Sequence, residues 1–358
     1  MWWSLIAVIV GLLANTLTII VFSSMKKVSS NVYLMVLGAS DLSFIVTFVF
    51  YDTLAKLRCM YFPATAIDIV NRSDFMCIAL QYLLDLFSDF SAMLILAFTV
   101  DRYIACYYPM RYNDLCTVLK SKITSFVMLF TIAITIAPYH IACMGQPFFQ
   151  GAIQQVCVII PEQPYEDIFF YCYVLEVMLY RVIPIIIIGV CNVFIILKVR
   201  EFHRARKERR NKTLSNQKTA ENGTSRQQKH DENQHIQLTI MLIMVSTTYI
   251  VLYLPVLVTF FVSKFFYGET ITAIRYYTTA MDIVDFAINF FLYTVSGKEF
   301  RTQLLRIVCG NEKTSGGYSR GNKVCFCVKR EHPDADKGQF MRIDNGRTVE
   351  AASMETHL

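Results

Sequence analysis

Charge is scarce in this chain of 358 residues. Asp, Glu, Lys and Arg together make up 17%, against about a quarter in soluble globular domains. Glycine (14 residues) and proline (9) are also few, and neither shows a short repeat, which excludes a collagen-like chain. The 11 cysteines are scattered over a chain far longer than a cysteine-stapled minidomain. A long coiled coil fails on the same composition. No internal repeat of the kind that marks many transporters is visible, no His/Cys/Glu set has metal spacing, and no Gly-x-Gly-Asp follows the acids within the apolar stretches. What the chain has instead is apolar sequence: 54% hydrophobic residues and a mean hydropathy of +0.41, gathered in long runs between short polar stretches. That is the pattern of a polytopic membrane protein. The formal charge of +6 adds little by itself.

A hydrocarbon core about 30 Å thick needs roughly 20 mostly apolar helical residues. Seven stretches qualify: 2–24, 32–56, 75–107, 119–143, 168–198, 236–263 and 271–295. The expected fold is therefore an all-α membrane protein, a seven-transmembrane helix bundle. Residues 28–31 link the first two spans, and residues 145–167 form the longest loop at the other end. Lys and Arg favour the cytoplasmic side, and 28 of the 34 fall in the loops after spans one, three and five and in the C-terminal tail. The N-terminus is accordingly expected outside and the tail inside. Met1-Trp2-Trp3 runs directly into a span with no basic leader or cleavage site, so we expect part of an outer segment to precede residue 1.

Asp101-Arg102-Tyr103 closes the third span, Cys77 opens it twenty-five residues before Arg102, and Cys157 sits in the loop after the fourth span. Asn15, the run Leu37 to Asp41, Pro184, Pro255 and the run Asn289 to Tyr293 follow in order in spans one, two, five, six and seven. Together these resemble a rhodopsin-like, or class A, G-protein-coupled receptor over residues 2–309. Residues 297–308 then look like the short amphipathic eighth helix of that family, with 310–358 a flexible cytoplasmic tail. The resemblance implies a plasma-membrane receptor that is not an enzyme and needs no cofactor. Its partners would be an extracellular ligand, a heterotrimeric G protein and arrestin, with no nucleic acid.

The resemblance also implies roles. Asp101, Arg102, Tyr103, Asn289 and Tyr293 would form the G-protein switch. Asn15, Asp41, Ser91, Tyr249, Tyr253 and Asp285 would form the activation core, where Asp41, Ser91, Asp285 and Asn289 could hold a sodium ion. Oxygen ligation suits a hard cation, although two close carboxylates also resist double ionisation, so a trapped proton competes with sodium. The plainer reading of Asp41 is a carboxylate hydrogen-bonded to Asn15 and Asn289. Several positions depart from the family. Tyr253 replaces the usual tryptophan two residues before Pro255, Asn192 replaces a tyrosine eight after Pro184, and the span-four tryptophan is missing. Phe290 replaces the span-seven proline, which should leave that helix straighter. His235 stands where relatives carry an acid that completes a second lock, so a weak inactive state with ligand-independent signalling is expected.

For the ligand, a Schiff-base lysine would fall at Ile283, and span seven contains no lysine, so retinal is excluded. The aspartate of amine receptors would fall at Leu84. Asp85, one residue on, is turned by about 100° around the helix, so an amine is disfavoured. Asp85, Glu176, Arg181 and Asp282 are the expected ligand-pocket residues, with Asp52 and Asp89 nearby. Their acidic sum and the surrounding aromatics favour a positively charged group. The runs Asp101 to Cys106 and Asn289 to Gly297 look like invertebrate neuropeptide receptors of the FMRFamide-related group, whose ligands end in an arginine followed by an aromatic amide. The alternatives are a biogenic amine or other small ligand, or an ion- or proton-coupled transporter.

The resemblance pairs Cys77 with Cys157 in a disulfide, and Cys59, Cys143 and Cys172 leave a second bridge open. Asn71-Arg72-Ser73 is a glycosylation acceptor. Cys309 is a palmitoylation candidate, and Glu355 to Leu358 match a PDZ-domain ligand. Residues 198–212 continue span five as a basic surface, and the polar stretch 213–234 is expected to lack regular structure.

Overall fold

The computed structural model describes residues 2–53, 73–145, 148–149, 152–153, 158–159, 164–215, 223–263 and 269–309. The long apolar runs become helices because a helix satisfies its own backbone polar groups, the only open-chain solution without water. Span one is α1 (Trp2–Ser24), and span two is α2 (Ser29–Phe48) ending in a π-helical turn, Val49–Thr53. Span three is α3 (Asp74–Tyr107), followed by a short helix α4 (Pro109–Leu115) and span four, α5 (Val118–Cys143). Span five is α6 (Tyr165–Val177), a π-helical turn Met178–Val182 and α7 (Ile183–Ser215). Spans six and seven are α8 (Gly223–Val262) and α9 (Glu269–Ser296), and α10 (Lys298–Cys309) follows.

Local signals set the ends. The Ser73 side chain accepts the Met76 amide at 3.3 Å and that of Thr117 accepts the Lys120 amide at 3.3 Å, starting α3 and α5. Gly297 separates α9 from α10. A Cβ there would come within 2.8 Å of the Tyr293 carbonyl oxygen and 3.1 Å of Phe300 Cβ, so the chain can turn back only without a side chain.

Span three runs through the middle, packed on spans two, four, five and six, while span one closes against spans two and seven. The polarity is inverted relative to a soluble domain. Asn15, Asp89, Arg102 and His140 are each 0% exposed, while Phe126, Leu175 and Val251 are 60–68% exposed. Among the described residues six helices are long and apolar enough to cross a membrane. The remaining span, α9, carries Asp282 and Asp285 on a helix packed against α1, α2 and α8.

Several boundaries correct the sequence reading. Ser29 to Asn31 are already helical, which shortens the link after span one. The stretch 223–234 is helical and continuous with span six rather than irregular. Once span six supplies the nucleus, Arg226, Gln227, Gln228, Lys229 and Glu232 propagate it at little cost. Met144–Gly145 (β1) pairs antiparallel with Val158–Ile159 (β4), and Phe148–Phe149 (β2) with Ala152–Ile153 (β3), in a loop where no strand was foreseen. Span seven is one unbroken helix, Glu269–Ser296. Residues 310–358, including Leu358, and Asn71 and Cys157 lie outside the described residues.

The amphipathic α10 docks through Phe300, 1% exposed, whose ring meets Phe22 at 5.2 Å, Tyr293 at 5.7 Å and Phe290 at 5.8 Å. Phe300→Ala should cost about 3–5 kcal/mol and lower the melting midpoint of the detergent-purified protein. An unchanged midpoint would show that α10 docks by other contacts.

Candidate functional site

Three polar layers lie along the bundle axis. The first is at the end of the bundle that carries Cys77. The π-helical turn Met178–Val182 shifts the phase of span five, and Arg181 there is 6% exposed. Its Nε donates to Asp89 Oδ1 at 2.6 Å and its Nη1 to the Tyr253 hydroxyl at 2.7 Å. The guanidinium also sits 5.5 Å from the Tyr253 ring centroid, and Tyr253 stacks on Tyr249 at 5.6 Å. One side chain of span five thus ties span three to span six. Asp85, one turn before Asp89, is taken up by His140 Nε2 at 3.0 Å, by Gln81 Nε2 at 3.4 Å and by Arg181 Nη2 at 3.8 Å. Asp282 is in electrostatic reach of Arg181 and Asp85. Glu176 is 3% exposed, and no basic or amide side chain among the described residues reaches either of its oxygens. Tyr173 and Phe260 pack edge to face at 5.0 Å beside this layer, whereas Tyr277 is 68% exposed and faces away.

The four residues that the sequence nominated for a pocket, Asp85, Glu176, Arg181 and Asp282, therefore do converge, but not as equal free groups. Asp85 and Arg181 are committed to internal partners. His140 was missed, since a lone histidine in an apolar span carries no motif. The pairing of Asp89 had a legible signal, because it lies four residues after Asp85 on the same helical face.

The second layer surrounds Asp41. Ser91 Oγ donates to Asp41 Oδ1 at 2.7 Å, and Asn289 Nδ2 donates to Oδ2 at 2.8 Å. Asn15 does not bond Asp41, contrary to the plainer sequence reading; its Nδ2 donates to the Phe286 carbonyl at 2.8 Å, fastening span one to span seven. Its Oδ1 is buried with no donor among the described residues. Asp285, 9% exposed, is in electrostatic reach of Asp41 and Asp282. The oxygens of Asp41, Ser91 and Asp285 suit a hard monovalent cation, while Asn289 turns its amide nitrogen to Asp41 and positions it. Tyr249 and Tyr293 are buried around this layer. Asn192, which replaces the family's tyrosine, donates to Ser246 Oγ at 2.7 Å and joins spans five and six.

The third layer is at the opposite end. Arg102, 0% exposed, donates from Nη2 and Nε to Asp101 Oδ2 at 2.7 and 3.1 Å. Two span-two serines fill the rest of the carboxylate: Ser29 donates to Oδ1 at 2.6 Å and Ser30 to Oδ2 at 2.7 Å. Arg102 Nη2 also donates to the Tyr112 hydroxyl at 2.6 Å. Burial lifts the Tyr112 phenol above its usual range, against the pull of the Arg102 cation. Burial and then Asp101 push the nearby Cys116 thiol up to about 12, so it stays neutral. The serines and Tyr112 were not found from sequence because they become partners of Asp101 and Arg102 only in the folded bundle. Tyr103 takes no part in this lock and stacks on Tyr107 at 4.7 Å, facing Phe194. The side chain of His235 lies outside the described residues. A cavity of about 380 Å³ opens beside the lock, bounded by Cys106, Pro109, Tyr112, Lys198, Phe202 and Ile236.

Residues 14–295 match the family described as 7 transmembrane receptor (rhodopsin family). No curated protein matches the chain.

A hydrogen bond to a charged group contributes about 1.5–3 kcal/mol. Tyr253→Phe, which removes the Arg181 contact and keeps the ring, should therefore favour movement of span six and raise basal second-messenger output about tenfold or more. Tyr112→Phe should act in the same direction at the other end. Basal output equal to wild type at matched surface expression in both variants would mean that neither contact restrains the resting state.

Proposed function

This chain belongs to the rhodopsin family of seven-transmembrane receptors, and on that premise we propose that it is activated by an amidated neuropeptide bound at the Cys77 end. The family makes it a multi-pass membrane receptor rather than an enzyme, with an extracellular ligand and a G protein as partners. Our reading of the ligand rests on one observation: Asp85, Asp89, Glu176 and Asp282 gather around the single guanidinium of Arg181, beside the Tyr173 and Phe260 rings. A cluster with more acids than cations, with aromatic rings beside it, complements a peptide ending in an arginine and an aromatic amide, the FMRFamide-related class. The commitment of Asp85 to His140 and Arg181 argues against a biogenic amine anchored there.

In this reading the agonist binds the active packing better than the resting one and shifts the population. Loss of the Arg181 to Tyr253 contact lets span six move, and the Asp41 and Asn289 layer relays the change. Arg102 then leaves Asp101 and Tyr112 for a heterotrimeric G protein at the adjoining 380 Å³ cavity. A sodium ion held by Asp41, Ser91 and Asp285 would supply a fixed positive charge that favours the resting packing. The same reading places the chain in the plasma membrane with its N-terminus outside. Cys77 is disulfide-bonded, and we assign Cys157 as its partner. It also assigns glycosylation to Asn71, palmitoylation to the exposed Cys309, arrestin to the active state and a PDZ domain to the C-terminal Leu358.

Calcium and cyclic AMP measured in cells expressing the chain, against amidated peptides and biogenic amines, test the ligand class. A dose-dependent response to an arginine-aromatic-amide peptide, weakened about tenfold or more in Asp282→Asn, is the expected result. A response to amines alone would overturn it. For the ion, replacing sodium by choline should raise agonist affinity in wild type and leave Asp41→Asn unchanged. Equal sensitivity of both proteins would remove sodium from the mechanism.

A further inference from the structure

Glu176 is a buried carboxyl group that no basic or amide side chain among the described residues holds. It is 3% exposed in span five. What it faces is Asp89, another carboxyl group, 0% exposed. Asp89 Oδ1 is held by Arg181 at 2.6 Å. The two carboxyls lie within hydrogen-bond reach of each other, so a shared proton holds the pair at rest, and Glu176 Oε1 and Oε2 and Asp89 Oδ2 accept from no basic side chain among the described residues. Burying such groups without a positive or donating partner is costly. Arg181 is turned elsewhere: its contacts go to Asp89 Oδ1, Asp85 and Tyr253.

We propose that Glu176, completed by Asp89 Oδ2, is the docking point for a guanidinium group of the ligand. The proposal rests on the peptide reading above and names the chemistry within it. A guanidinium suits the place better than an ammonium for three reasons. Its planar array of five donors can pair with both Glu176 oxygens and still reach Asp89. It is more weakly hydrated, so a site this buried costs less to enter. Its flat face can lie on an aromatic ring such as Tyr173, as Arg181 lies against Tyr253 in the same layer. Asp85, the acid nearest the amine-receptor position, is already paired with His140 and is not the anchor.

The site also supplies a route from charge to movement. A second guanidinium on Asp89 competes with Arg181 for the same carboxylate and repels it. The Arg181 contact that restrains Tyr253 of span six weakens as the ligand arrives, so binding energy at Glu176 is spent on the active packing.

The test uses the full-length protein in lipid nanodiscs and three small probes, L-argininamide, L-lysinamide and L-citrullinamide, with the melting midpoint as readout. Argininamide should raise the midpoint of wild type in a saturable way, lysinamide less and neutral citrullinamide not at all. In Glu176→Gln the half-saturating argininamide concentration should rise about tenfold or more, while Asp114→Asn, exposed on α4 at the other end of the bundle, should keep it within a few-fold. An argininamide shift that is absent in wild type, matched by citrullinamide or lysinamide, or unchanged in Glu176→Gln overturns the proposal, the unchanged case indicating that the two acids are merely hydrated. The wild-type ranking of the probes decides the matter even if Glu176→Gln does not fold. Argininamide binding without any peptide response would retain this site and sink the neuropeptide reading. A peptide response without argininamide binding would do the reverse.

Discussion

Inside a membrane, a charged side chain has no water to fall back on and must find its counterpart within the protein. Every distinctive feature of this bundle follows from that constraint. Arg181, at mid-helix in span five, is held by Asp89 and Tyr253 and draws on Asp85. Asp85 takes His140 from span four. Four helices are thereby joined by one polar cluster, and removing Arg181 itself would leave Asp89 buried without its cation. The same rule operates at Asp41 and at Asp101, where hydroxyl and amide donors from neighbouring spans fill the carboxylate.

These layers are what would let the bundle exchange between two packings in the proposed mechanism. Each joins helices through a few charge-assisted hydrogen bonds that an alternative partner can replace. In the mechanism proposed above, the replacement at the Cys77 end is a ligand cation on the Glu176 and Asp89 pair, and at the opposite end a G protein that draws Arg102 away from Asp101 and Tyr112. Span six is fastened at both levels, by Tyr253 to Arg181 and by Ser246 to Asn192. A two-state element biased from both ends is the physical requirement for coupling between distant sites. The substitutions that depart from the family, Tyr253, Asn192 and Phe290, do not weaken this logic. They shift the load from a proline kink and a tryptophan to a tyrosine latched by an arginine.

How far the site could be read in advance depended on the kind of contact. Partners within one helix, or fixed by a shared motif, were legible: Asp101 with Arg102, and Ser91 and Asn289 around Asp41. Partners from separate spans were not. Asn15 looked like a ligand of Asp41 but bonds the Phe286 carbonyl. Ser29 and Ser30 read as the end of a loop, yet they are the first turn of α2 and fill Asp101. His140 belonged to no motif, yet it bonds Asp85. In each case the relevant distance is set by how two helices rotate about their axes, which a one-dimensional pattern does not contain.

The sequence by itself determined the seven apolar spans, the all-helical class, the expected topology from Lys and Arg, and the family. These depend on hydrophobic length, charge count and ordered landmarks, all local or additive along the chain. Only the tertiary structure decided which acids are free. Asp85, Asp89, Glu176 and Asp282 are alike as sequence, four carboxylates in apolar helices. The rotation of span five through its π-helical turn assigns Arg181 to Asp89 and Asp85, and that assignment leaves Glu176 facing only the Asp89 carboxyl, with no basic partner among the described residues. Ligand chemistry in such a pocket is a property of the residual charge after internal pairing, and internal pairing exists only in three dimensions.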